Sequence, residues 1–356
     1  MKHTLIICLL VSLFASPLAF SQAEDKAKEA SEEIIQANYS IPKIPALEII
    51  SADPNTISRP TTAREFATGL YNAIDANGNV KQGLAFEVKP NFIFQEPINL
   101  KEYQENKMAY ILENTQVSLA TVATSGDSSS TDLSWGLRIV FFDKTDPMAN
   151  KEFTANVGAA FLDCGPSMPG DSDAEAELKC LAEKIQKFKE EFAREHWNDS
   201  WLMFAYAGGT RLSGSQITEG KIVGHRAWLA GGLKLGHYGQ LGYQAHWSRE
   251  LKTETTQYFN ELGLSSRLTL QLGKPTINFF AEASYQPLLN KDDFKNNPEV
   301  NVDKSFVWSS GFEFKVSNGL WATAGLGKNA ERIAGEDNIQ ILSGLRLGFS
   351  DKKRLK

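Results

Sequence analysis

The stretch Thr131-Asp132-Leu133-Ser134-Trp135-Gly136-Leu137-Arg138-Ile139-Val140-Phe141-Phe142 decides the fold. Leu133, Trp135, Leu137, Ile139 and Phe141 alternate with Ser134, Gly136, Arg138, Val140 and Phe142. A period of two belongs to a β-strand, whose successive side chains point to opposite faces. The same period dominates the chain from about residue 83 onward. Leu262, Leu264, Leu268 and Leu270 alternate with Gly263, Ser265, Arg267, Thr269 and Gln271. Phe306, Trp308, Phe312, Phe314 and Val316 oppose Ser309, Gly311, Glu313 and Lys315. Ile277, Phe279, Ala281, Ala283 and Tyr285 oppose Asn278, Glu282 and Ser284. In the last segment Ile339, Ile341, Leu345, Leu347 and Phe349 share one face, against Gln340, Gly344, Arg346 and Gly348.

A soluble sandwich also alternates. Three features favour an all-β chain folded as a transmembrane antiparallel up-and-down β-barrel. The runs are longer than the usual strand of about 5–6 residues. The second face is rich in glycine and isolated charges, which suits a barrel lumen. Five of the 7 tryptophans (Trp135, Trp201, Trp247, Trp308 and Trp321) fall near predicted strand ends, as an interfacial girdle requires. Placing the turns gives about twelve strands, an even number that leaves both termini in the periplasm. They run at about 80–94, 108–124, 131–142, 152–163, 200–211, 221–236, 240–250, 257–272, 275–286, 304–316, 319–328 and 338–350. The strand at 152–163 rests on Phe153, Val157 and Phe161 and is needed to keep short turns on one side and long loops on the other.

Composition narrows the rest. Lys+Arg total 37 against 43 Asp+Glu, a net charge of −6, which argues against a nucleic-acid partner. Past residue 20 no apolar run approaches the roughly 18 residues of a membrane helix. Residues 1–21 read as a signal peptide: a basic start at Lys2 and His3, an apolar run Leu5–Phe14, and a small-residue cleavage pattern after 21 or 23. Residues 22–60 read as a mobile periplasmic segment, and 61–79 as a helix (Thr62–Ile74) and turn before the barrel. The barrel then covers 80–350, interrupted by an amphipathic helix at 173–197 with Leu178, Leu181, Ile185, Phe188 and Phe192 on one stripe. Turn parity puts that helix in the periplasm, as packing on the barrel rim or as a docking element for a periplasmic partner. A basic tail occupies 351–356. Cys164 and Cys180 would be bridged in an oxidising compartment, worth about 3 kcal/mol in the chain-entropy model; the rival reading is two free thiols.

The face opposite the apolar stripe yields the candidate site. Glu87, Glu261, Glu282 and Glu313 point into the lumen, with Arg138, Arg211, Arg226, Lys234, Arg267, Lys315 and Arg346. One reading is a lumen filled by cross-strand ion pairs. The other is a narrow pore for small polar solutes with a mild anion preference, gated or plugged by the helix Thr62–Ile74. His246 and Ser248 flank Trp247 on the lumen face, the wrong side for a lipid substrate, and no acid is placed to orient the histidine. No catalytic residue is expected. No cofactor or metal is expected either: His225 and His237 lack ligand-like spacing to any acid, and the acids of Glu331–Asp337 lack the rhythm of a calcium loop.

The pattern over 80–350 resembles Gram-negative outer-membrane β-barrel proteins. Ile339–Phe349, ending in an aromatic, looks like the closing strand that the barrel-assembly machinery reads, although the tail Lys352-Lys353-Arg354-Leu355-Lys356 follows it. The resemblance implies outer-membrane lipids and that machinery as partners, and the outer membrane as the location. It leaves open a non-conducting structural or interaction barrel.

Overall fold

The structure, a computed structural model, describes residues 44–49, 68, 83–90, 98–124, 127–164, 174–213, 220–252, 257–272, 277–290, 293, 306–317, 320–328 and 339–347. Among these, eleven strands form one sheet in sequence order, each antiparallel to its neighbours. They are β1 Ala85–Val88, β2 Gln116–Thr124, β3 Asp127–Asp143, β4 Trp201–Ser213, β5 Gly220–Leu235, β6 Gly239–Lys252, β7 Gln257–Gln271, β8 Ile277–Tyr285, β9 Phe306–Ser317, β10 Leu320–Lys328 and β11 Ile339–Leu347. The helices are α1 Pro45–Ile49, α2 Leu100–Glu105, α3 Lys107–Glu113, α4 Lys151–Asp163 and α5 Ala174–Glu195.

The strand expected at 152–163 is α4. Phe153, Val157 and Phe161 are four apart, and a spacing of four keeps one face in a strand and in a helix alike. The flanks decide. Asp146 and Pro147 open a one-turn 3-10 helix, and the Asn150 side chain then accepts a hydrogen bond from the Phe153 amide as N-cap. Inside, the helical period buries Phe153 and Ala160 and leaves Phe161 outside. The front half of the strand expected at 108–124 is likewise helical, since Asn106 caps α3. With one strand fewer, β1 begins at the end opposite to that where β11 finishes, so the expected even count is not met among the described strands.

Direction alternates, so the connections sort to two ends. Residues 89–115, 144–200, 236–238, 272–276 and 318–319 join strands at one end, which carries α2–α5 and is called the helix end. Residues 125–126, 214–219, 253–256, 286–305 and 329–338 join them at the loop end.

The two faces differ sharply. Val117, Trp135, Leu229, Leu233, Trp247, Leu264, Phe306, Phe312, Phe314 and Leu326 are exposed on one face. On the other, Ser118, Ser134, Ala205, Ala207, Ala230, Ser248, Ser265, Ser284, Ser309 and Glu313 are buried. Leu264 is 46% exposed while its neighbour Ser265 is 7%. We call these the outer and inner faces. A register shift between Val140 and Phe142 puts Phe141 and Phe142 both outside, although strict alternation had turned Phe142 inward. Trp135, Trp247 and Trp308 lie on the outer face, but Trp201 turns inward, its indole against Gly232.

The helices at the helix end brace one another. Tyr103 of α2 donates to Asp146 (2.5 Å) and accepts from Asn114 Nδ2 (2.9 Å). Burial, reinforced by the hydrogen bond to Asp146, pushes the Tyr103 hydroxyl well above its usual pKa. Phe153 of α4 packs on Phe192 of α5 at 5.3 Å, and Cys164 and Cys180 are bridged, tying the end of α4, not of a strand, to the start of α5. The amphipathic helix expected at 173–197 is α5, held to the sheet by a charged clamp at its end. His196 Nδ1 and Lys234 Nζ each lie 2.5 Å from the Asp199 carboxylate, and Asn198 Nδ2 donates to the carbonyls of Gly236 and Gly239. Partial burial raises the Asp199 pKa, but hydrogen bonds from Lys234 and His196 outweigh it, so the net displacement is downward.

Two outcomes follow. In chain exported to an oxidising compartment and freed of residues 1–21, thiol labelling of unreduced, denatured protein is expected to find no free cysteine; two labelled thiols would contradict the bridge. A depressed carboxyl stabilises the fold above its unfolded pKa, about 3.9, and loses that contribution as pH falls through its lower folded value. Proteolytic release of α5 is therefore expected to accelerate as pH falls below about 4. Asp199→Asn should cost about 2 kcal/mol at neutral pH and flatten that dependence.

Candidate functional site

The inner face is the candidate site, and antiparallel pairing dictates which side chains meet there. Directly opposed residues share a face, so the rows can be followed across strands. One row runs Ser118, Gly136, Ala207, Arg226, Ser248 and Glu261. Another runs Gly242, Arg267, Glu282 and Ser309.

Three arginines organise the charge. Arg211 clasps Asp132 with two hydrogen bonds, Nε at 2.8 Å and Nη2 at 3.1 Å. Arg226 binds Glu250 on the neighbouring strand and reaches Glu48 of α1 at 3.2 Å. Arg267 bridges two strands, 3.2 Å from Glu282 on β8 and 2.6 Å from Glu313 on β9, with its guanidinium 4.7 Å above the Phe280 ring. Ser309 Oγ donates to the second oxygen of Glu282 at 2.7 Å. All three side chains of the Arg267 group are at most 17% exposed. Removing one member would leave an uncompensated buried charge.

The other expected lumen residues divide. Arg138 is on the inner face, donating to Gln116 Oε1 (3.3 Å) and to the Met203 sulfur (3.6 Å). Glu87 and Glu261 hold inner register positions opposite Ser118 and Ser248. Lys315 does too, opposite Trp321, but is exposed. Arg346 pairs with Trp321 in the backbone ladder; its side chain lies outside the described residues. Lys234 is the exception, turning to the rim clamp with Asp199. The sequence reading missed Asp132, Glu250 and Glu48. The first two share the parity of Arg138 and Ser248 and were there to be found by alternation. These acids offset the basic excess from which an anion preference was expected.

His246 and Ser248 both face inward, but no hydrogen bond joins them among the described residues. The His246 ring instead lies against Gly263, where any Cβ would sit 1.8 Å from Cε1. No cluster able to hold a metal occurs among the described residues.

Across this face lies α1. Within the stretch 22–60, where a mobile segment is expected, Pro45–Ile49 packs over β2, β3, β4 and β5. Ala46 is fully buried and its amide donates to Ser118 Oγ at 3.4 Å. Ile49 joins the apolar cluster of Ala205, Ala207, Trp228 and Ala230. Two glycines make the seat: a Cβ on Gly136 would stand 2.6 Å from the Ala46 amide, and one on Gly209 2.5 Å from Ile49 Cγ2. Five residues cannot hold a helix alone in water, so the seat stabilises α1. The expected plug, Thr62–Ile74, lies outside the described residues except for Thr68, which is helical.

No family model and no curated protein matches the chain. Among solved structures it is similar to a TodX monoaromatic hydrocarbon channel deltaS2 mutant, at 7% sequence identity and a TM-score of 0.27, with 75% of this chain covered. The chain spans 61% of the length of that channel.

The seat can be probed directly. In protein lacking residues 1–21, Ala46→Cys supplies a single thiol outside the Cys164–Cys180 bridge. It is expected to resist a water-soluble maleimide. Adding Gly136→Val should unseat α1 and raise the labelling rate at least tenfold, and equal rates in the two proteins would contradict the seat.

Proposed function

We propose that the chain is an outer-membrane β-barrel whose lumen is a narrow passive route for small polar solutes, closed at rest by α1. One observation carries this reading: the distribution of polarity is inside-out. Large apolar side chains stand bare on the outer face, while the arginine–carboxylate pairs of Arg211, Arg226 and Arg267 are enclosed on the inner one. Water does not support such a face, because an exposed apolar surface of that size drives association. A hydrocarbon surrounding does, and there a closed barrel satisfies every backbone group that an open edge would leave bare. Ser265, Ser284 and Glu313, on strands beyond those on which α1 packs, are enclosed as well, which supports a curved inner wall.

Polarity also supports orientation. In outer-membrane barrels the shorter connections face the periplasm and the longer ones the outside. From β5 onward the connections 236–238, 272–276 and 318–319 lie at the helix end and 286–305 and 329–338 at the loop end, while before β5 the short 125–126 lies at the loop end and the helix-bearing 89–115 and 144–200 at the helix end. The α2–α5 cap is then periplasmic. A second reading, a non-conducting barrel with that cap as a docking element, is favoured by the arginine pairs that brace the inner face.

Heat-modifiable migration on gels and recovery in the outer-membrane fraction are expected. In planar bilayers the full mature chain should conduct weakly, and deletion of residues 22–50 should raise single-channel conductance severalfold. A folded deletion variant that conducts no better than its parent would retire the channel and leave the docking barrel.

A further inference from the structure

We infer that the outer face carries, at the loop end, a site for the phosphate of an anionic lipid headgroup, built on Arg249 with His225 and Tyr258. This rests on the membrane-barrel reading above.

The outer face is apolar along most of β6 and β7. On β7 its residues run Leu262, Leu264, Ser266, Leu268 and Leu270 toward the helix end, about 27 Å along the strand. Strands tilted by about 40° turn that into about 20 Å of depth, close to the roughly 25 Å apolar band of such barrels. Toward the loop end the chemistry changes within one step, with Leu251 beyond Arg249 opposite Tyr258 and Ile222 beyond His225. Trp247 is followed on the same face by Arg249, and Leu262 by Asn260 and Tyr258. His225, Arg249 and Asn260 are directly opposed across β5, β6 and β7 and form a polar row.

The row is held in place. Arg249 has its guanidinium 4.9 Å above the Tyr258 ring, and the Tyr258 hydroxyl donates to the Ile222 carbonyl at 2.8 Å. The His225 Nδ1 lies 2.8 Å from the Tyr206 hydroxyl, and its ring stands edge-on to Trp135. Arg249 itself is exposed, and no carboxylate pairs with it among the described residues. Its neighbour Glu250 points to the inner face and is taken by Arg226. A guanidinium fork on an aromatic platform suits a phosphate, which it can bind in two-pronged fashion. At the membrane interface, where bulk water is thin, the counter-ion that stays there is the headgroup of a packed lipid. A lipid with its chains along Leu264 and Leu229 would bring its phosphate to this level.

The test uses the mature chain in neutral detergent, titrated with bisphosphorylated lipid A and read by native mass spectrometry. Wild type should retain lipid A. Arg249→Gln should weaken retention about tenfold, and Tyr258→Leu severalfold, with Lys187→Gln on α5 as the unaffected control. Heat-modifiable migration certifies folding of each variant. Equal retention by the parent and both variants would overturn the proposal. So would equal retention of phosphatidylcholine, which would show apolar contact alone. Displacement by equimolar inorganic phosphate would reassign the site to a free anion. A chain that stays monomeric in water without detergent would overturn the barrel reading itself, a different outcome from lipid retention that ignores Arg249.

Discussion

Register is the constraint on which everything else here depends. In a sheet where one face is apolar and the other charged, sliding any strand by one residue exchanges the two faces. Arg267 would then face outward and Phe312 inward. The four irregularities, at Ala123/Thr124, Val140/Phe142, Gly209/Thr210 and Leu320/Trp321, all lie toward strand ends or where a strand meets the helix insert. The long uninterrupted pairing of β5 with β6 and of β6 with β7 keeps the central rows in phase. Arginine bridges reinforce this phase, since Arg267 can meet Glu282 and Glu313 only when three strands are aligned.

The inner face combines two kinds of surface. Toward β2–β5 it is small: Gly136, Ala205, Ala207 and Gly209 leave room for another piece of chain. Toward β7–β9 it is charged and cross-braced. The division gives α1 a defined berth on one side and a stiff wall on the other. The contact between Glu48 and Arg226 ties α1 to β5 at the edge of its berth, but Glu48 is half exposed, so packing rather than charge holds α1.

Much of this was legible from period two alone. Arg138, Arg211, Arg226, Arg267, Glu282 and Glu313 were placed on one face by counting, and that face is the inner one. What was not legible has specific causes. A spacing of four made Phe153, Val157 and Phe161 read equally as strand and helix, and only the caps at Asp146 and Asn150 separate them. The bulge that turns Phe142 outward leaves no mark in the alternation. Glycines on the inner face read as lumen lining, whereas Gly136 and Gly209 are sites of close approach by α1. The α1 segment itself is a single turn without periodicity, and a pattern method has nothing there to count.

The berth for α1 has a consequence for the order of assembly. Glu48 and Arg226 are 178 positions apart in sequence. The surface that receives α1 is shared among β2, β3, β4 and β5, so it does not exist until β5 has paired with β4. Local hairpins close first, and contacts spanning so much chain form late because their loop entropy must be overcome before they return any stabilisation. Residues 45–49, early in the sequence, are thus among the last to find their place, and until then the sheet is assembled around a vacant berth.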